Sequence, residues 1–153
     1  MSRSEPSRPA PRRADFPVHR RITTRWSDED VYGHVNNVTY YAYFDTAVNG
    51  YLMAATGTDI RRLPTIGLVA ETSCEFRRPL GFPDDVEAAL GVERRGPRSV
   101  VWRIGLFQGD DQEPAALGRF VHVYVDAQTR RPVAVPEVVR AVVDPIAEQV
   151  DGD

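Results

Sequence analysis

At 153 residues, the chain is long enough for one domain that buries about two-thirds of its unfolded surface. A net charge of -3, with 42% hydrophobic and 27% charged residues, describes an ordinary globular chain and argues against nucleic acid as a partner, since phosphate backbones select basic faces. All 19 basic residues are arginines, which excludes Schiff-base chemistry, and the single cysteine, Cys74, excludes an intrachain disulfide or a cysteine-rich metal site. No apolar run approaches the roughly 18 residues of a membrane helix, so no membrane partner and a cytoplasmic location are expected.

Residues 1–16 are dominated by Arg, Pro and Ser and are expected to form a disordered tail before a single domain at 17–150. Residues 19–26 form a short strand candidate with Ile22, Thr23 and Thr24 as its β-branched positions. An acidic, glycine-containing loop covers 27–37. A helix is expected from about Val38 to Thr56, because Tyr40, Tyr41, Phe44, Ala47, Val48, Tyr51, Leu52 and Ala55 recur at helical spacing. Asn36 or Asn37 suits its N-cap and Gly57 its left-handed C-terminal position.

From Pro64 the period changes to two. Residues 66–78 read as a strand with Ala70, Thr72, Cys74 and Phe76 on one face and Glu71, Ser73, Glu75 and Arg77 on the other. Strands at 85–94, 99–107 and 115–126 follow, separated by Gly- and Pro-containing turns, and 136–150 suits a short closing helix. Short connections favour antiparallel pairing. The expected class is α+β, an antiparallel sheet with one long apolar helix laid against it.

The chemistry concentrates in residues 25–44. Asp28 and Asp30 precede Gly33, which lets the chain turn tightly into the helix, and the helix start directs free amides back toward the loop. Unpaired N–H groups stabilise the oxyanion formed when a carbonyl is attacked, and a nearby carboxylate can act as general base or nucleophile. By residue type alone the same positions also suit plain loop and capping roles, with His34 and the Asn pair as turn residues.

The pattern D-x-D-x-x-G-H-V-N-N-x-x-Y-x-x-Y-F, filled by Asp28, Asp30, Gly33, His34, Val35, Asn36, Asn37, Tyr40, Tyr43 and Phe44, resembles the 4-hydroxybenzoyl-CoA thioesterase family of acyl-CoA thioester hydrolases. The resemblance extends over about residues 20–143. It implies the hot-dog fold, a curved antiparallel sheet wrapped around one long helix, and an acyl-CoA or acyl-carrier-protein thioester as substrate. It also implies a homodimer or homotetramer with sheets joined edge to edge and the pocket between protomers.

Carried over by position, it implies Asp30 as the catalytic acid, Asp28 as a structural residue, and backbone amides near His34 and Val35 as the oxyanion hole. Substrate contacts are expected from Tyr32, Gly33, Asn37, Tyr40, Glu71 and Arg77; Tyr32 and Tyr40 also suit core or interface, Glu71 is either a second acid in the pocket or part of a solvated strand face, and Arg77 is one of several candidates for the coenzyme A phosphates. Cys74 reads as a small core residue and His122 as a buried or interfacial one. No ligand spacing points to a metal, and no cofactor is expected. Two other functions fit the same resemblance: a hydratase or dehydratase using His34 beside Asp30, and a non-catalytic acyl-CoA-binding module.

Overall fold

Asn36 and Gly57 set the limits of the longest helix in the computed structural model, which describes residues 10–151. This helix, α1, runs Asn37–Thr56; the Asn36 side chain caps its start and Gly57 ends it at φ 65°. Strand β1 is Val18–Ile22, and after α1 come β2 (Thr65–Phe76), β3 (Val86–Arg95), β4 (Ser99–Gln108) and β5 (Ala116–Asp126). The sheet order is β1-β3-β4-β5-β2, antiparallel throughout. This is the α+β class expected, with β1 ending earlier than residue 26.

The closing segment differs from the expected helix at 136–150. Helix α2 stops at Val143 (Glu137–Val143), and a single 3-10 turn carrying Pro145 leads into strand β6 (Ala147–Val150). Proline has no amide for the next helical hydrogen bond. β6 then pairs in parallel with β3 at Val92–Arg95, beyond the stretch of β3 that β1 occupies.

β2 and β3 adjoin in sequence but not in the sheet. The nine residues 77–85 between them can reach roughly 30 Å, and three strand spacings take only about 14 Å. This link carries Leu80, almost fully buried, under the start of α1. β2 is left as a long edge strand. Its register with β5 shifts between Val69 and Glu71, so Ala70 is a bulge residue and does not share a regular face with Thr72, Cys74 and Phe76.

One face of α1 packs on the sheet through Tyr40, Tyr43, Phe44, Ala47, Val48 and Leu52. Phe44 is fully buried with its ring over Gly118, where an added Cβ would lie 2.4 Å from the ring, so only glycine fits. Cys74 is partly buried against this core, and burial followed by the neighbouring Glu75 charge pushes its thiol up to about 11, as suits a core residue.

The expected tail boundary at residue 17 moves back. Phe16 is buried against Ala89 and Phe107 on the sheet face away from α1. Arg13 donates to Glu87 (2.9 Å) and to the Gly109 carbonyl (2.8 Å), and its guanidinium stacks over Phe107. Residues 1–9, the remainder of that expected tail, lie outside the described residues. Among the described residues, no helix is long and apolar enough to cross a membrane.

Candidate active site

A 3-10 turn at Trp26–Asp28 delivers the first aspartate into the core. The Asp28 carboxylate accepts the Tyr43 hydroxyl at 2.7 Å, the Arg25 backbone amide at 2.9 Å and the Arg25 Nε at 3.0 Å. Its carbonyl accepts the Asn36 amide at 2.8 Å, which ties the loop entry to the helix cap. Burial opposes ionisation, but the Tyr43 and Arg25 hydrogen bonds outweigh it and hold the Asp28 carboxyl below its ordinary range. The structural role expected of Asp28 has a concrete form: it anchors the loop.

Asp28→Ala would leave the Tyr43 hydroxyl buried without its acceptor. The expected loss is about 2–4 kcal/mol of stability, a melting temperature lower by roughly 5–15 °C. The pH dependence has a definite sign. Because the folded Asp28 carboxyl is held below its ordinary range, its contribution is full above the unfolded pKa and lost as pH falls through the lower, folded one. Thermal melts of wild type and variant across pH 2–6 should therefore converge at the acid end.

After Asp28 the chain makes a tight hairpin. Glu29 and Val35 form a bridge, the Asp30 amide donates to the His34 carbonyl at 2.8 Å, and the Gly33 amide donates to the Asp30 carbonyl at 3.1 Å. Gly33 sits at φ 80°, the left-handed region that favours glycine. The Asp30 Oδ1 accepts the Tyr32 amide at 2.8 Å, which holds the carboxylate over the turn, while Oδ2 has no hydrogen-bond partner among the described residues.

The hairpin is clamped to the 77–85 link. Glu29 Oε1 accepts the Phe82 amide (2.8 Å), Trp26 packs edge-on to Phe82, and the Leu80 amide donates to the Tyr40 hydroxyl (3.2 Å). The Val35 amide donates to the Leu80 carbonyl at 2.9 Å, so it is already committed and is not the open oxyanion donor anticipated. At the helix start, Asn36 satisfies the amides of Val38 through its side chain and Thr39 through its carbonyl. The amides of His34 and Asn37 remain without partners among the described residues.

The structure thus brings Asp30, Tyr32, Gly33, His34, Val35 and Asn37 together in one loop and helix start. The His34 side chain and the Tyr32 ring are exposed, and Tyr40 is buried beneath as part of the clamp. Arg77 and Glu71 stand apart from this group. Glu71 is ion-paired with Arg119 at 2.8 Å in mid-strand, and Arg77 pairs with Glu75 at 3.1 Å. Sequence reasoning missed Glu29, Leu80 and Phe82 as the clamp, since nothing local marks a contact across some fifty residues. Tyr43 had a signal, because the helical spacing that buries Tyr40 and Phe44 also turns it toward Asp28.

A sequence model of the thioesterase-like superfamily matches residues 24–143. The chain belongs to the thioesterase-like superfamily. The PA5185 protein of Pseudomonas aeruginosa, known from its crystal structure, is 46% identical with a TM-score of 0.87, over 91% of this chain and 97% of that one. The PA2801 protein of the same organism is 29% identical with a TM-score of 0.74, over 80% and 95%. A DHNA-CoA thioesterase from Staphylococcus aureus, 19% identical with a TM-score of 0.69 over 76% and 78%, shares the fold. The matched superfamily region contains the whole hairpin, the clamp and α1.

Proposed function

We propose that this member of the superfamily, read as a hot-dog fold, hydrolyses an acyl thioester of coenzyme A or of an acyl-carrier protein. The Asp30 carboxylate acts as general base on water or as nucleophile, and the Asn37 amide, with that of His34 beside it, receives the developing oxyanion. The acyl carbon–sulfur bond breaks and the thiolate departs with little need of acid assistance. One observation carries the reading: a carboxylate with one oxygen open among the described residues sits in a clamped loop that runs directly into a helix whose first amide has no partner among them. The helix dipole adds positive potential at that amide.

The test is thiol release from a panel of short, long, branched and aromatic acyl-CoAs and one acyl-carrier-protein thioester. Release above background from at least one is expected. A folded protein that releases thiol from none of them would refute hydrolysis.

Assembly belongs to the same proposal. The free edge of β2 exposes Leu68, Val69 and Phe76, and Val38 on α1 is 69% exposed. An unpaired edge flanked by apolar side chains suits pairing with a second copy. Two β2 edges joined about a two-fold axis give a homodimer, and two such dimers a homotetramer. Light scattering should find two or four chains per particle; a stable, fully active monomer would contradict this.

A further inference from the structure

A cavity of about 280 Å³ lies between the C-terminal half of α1, the start of β2 and the end of β5, away from the Asp30 loop. Leu52, Ile60, Ile66 and Val139 make its walls largely apolar, and the two polar side chains from β5 that border it are His122 and Tyr124. His122 is 2% exposed and Tyr124 3%. The His122 Nδ1 is enclosed with no hydrogen-bond partner among the described residues, and no hydrogen bond offsets burial for either ring. Buried polar groups normally find partners, so the unpartnered His122 ring on this wall points to something that enters.

Resting on the thioesterase reading, we propose that this cavity is the acyl subsite, taking an apolar group that bears one neutral hydrogen-bonding substituent, with His122 as the residue that reads that substituent. An apolar cavity of about 150 Å³ can hold benzene, so this volume suits an acyl group on the order of ten heavy atoms. Burial pushes the His122 imidazole down to about 4, so it is neutral near pH 7, with one nitrogen a donor and the other an acceptor. A neutral ring in a largely apolar wall matches a hydroxyl or carbonyl, while Arg61, which also borders the cavity, is solvent-exposed and already paired with Asp59 at 2.9 Å.

The acid and the cavity do not meet within one chain. Asn49, which borders the cavity, lies twelve residues along α1 from Asn37, about 18 Å. β2 connects the two regions: Phe76 packs on Tyr40 beneath the loop, and Ile66 and Gly67 border the cavity. Antiparallel pairing of two β2 edges sets one chain's Ile66 end beside its partner's Phe76 end. The acyl group of one protomer's cavity then presents its thioester to the partner's Asp30.

The test uses matched acyl-CoAs with and without one hydroxyl, aliphatic and aromatic, and their non-hydrolysable amide analogues. With three histidines in the chain, the His122 ring resonances can be assigned by comparison with variants. They should shift when a hydroxylated amide analogue binds, in wild type and in Asp30→Asn alike. In wild type, kcat/KM should favour the hydroxylated member of at least one pair by about tenfold or more. His122→Phe should bring that ratio near one, and His122→Gln should keep part of it. An analogue that binds without moving the His122 resonances, or an unchanged ratio in His122→Phe, overturns the proposal. Thiol release in Asp30→Asn reports on the chemistry alone, so the two readings fail separately.

Discussion

In Asp30→Asn, the turnover number should fall by at least about a hundredfold, the scale for losing a positioned acid–base group. The amide nearly matches the carboxylate in size and can still accept the Tyr32 amide, which wild type holds at 2.8 Å, so the turn should keep its shape. What is lost is the ability to take a proton from water or to attack the carbonyl. The Michaelis constant should move far less, because binding rests on other groups. His34→Ala should retain substantial activity, since the exposed side chain is removed and the backbone amide stays. Full activity in Asp30→Asn together with a dead His34→Ala would overturn the assignment and favour the histidine-based hydratase alternative.

Asn37→Pro should reduce turnover by roughly a hundredfold to a thousandfold, as removal of one oxyanion-hole donor does. Proline deletes the one amide that the proposed mechanism needs at the helix start and leaves the rest of α1 intact. Its geometry is suitable, because the first helical position is where proline is favoured. The preceding residue, Asn36, has φ -60° and ψ 135°, the extended conformation that a residue before proline prefers. The melting temperature should therefore change little. Asn37→Ala, which keeps the amide, is the control and should stay close to wild type in rate. Equal rates in Asn37→Pro and Asn37→Ala would show that this amide does not stabilise the transition state.

Much of this architecture could be read from neighbouring residues. Asn36 and Gly57 mark the ends of α1 because capping and left-handed backbone are local demands, and the apolar spacing between them selects the buried face. Gly33 before the helix marks the tight turn, and with it the placing of Asp30 over that turn. Pro145 is an equally local stop signal, and it limits the expected 136–150 helix to the seven residues of α2.

Other features were decided only by the tertiary fold. β2 lies beside β5, not β3, because the link 77–85 is long enough to cross and Leu80 gains burial under α1 by doing so. The same crossing commits the Val35 amide to a carbonyl forty-five positions away, which leaves Asn37 and His34 with the open donors. The bulge at Ala70 breaks the period-two reading of β2, since register is chosen by cross-strand packing and not by the strand alone. Phe16 and Arg13 look like tail by composition, but Ala89, Phe107 and Glu87 supply a surface for them. Residue type and spacing specify what a segment does with its own backbone. Which distant groups satisfy its remaining donors, and which cavity His122 faces, depends on packing that only the assembled sheet and helix create.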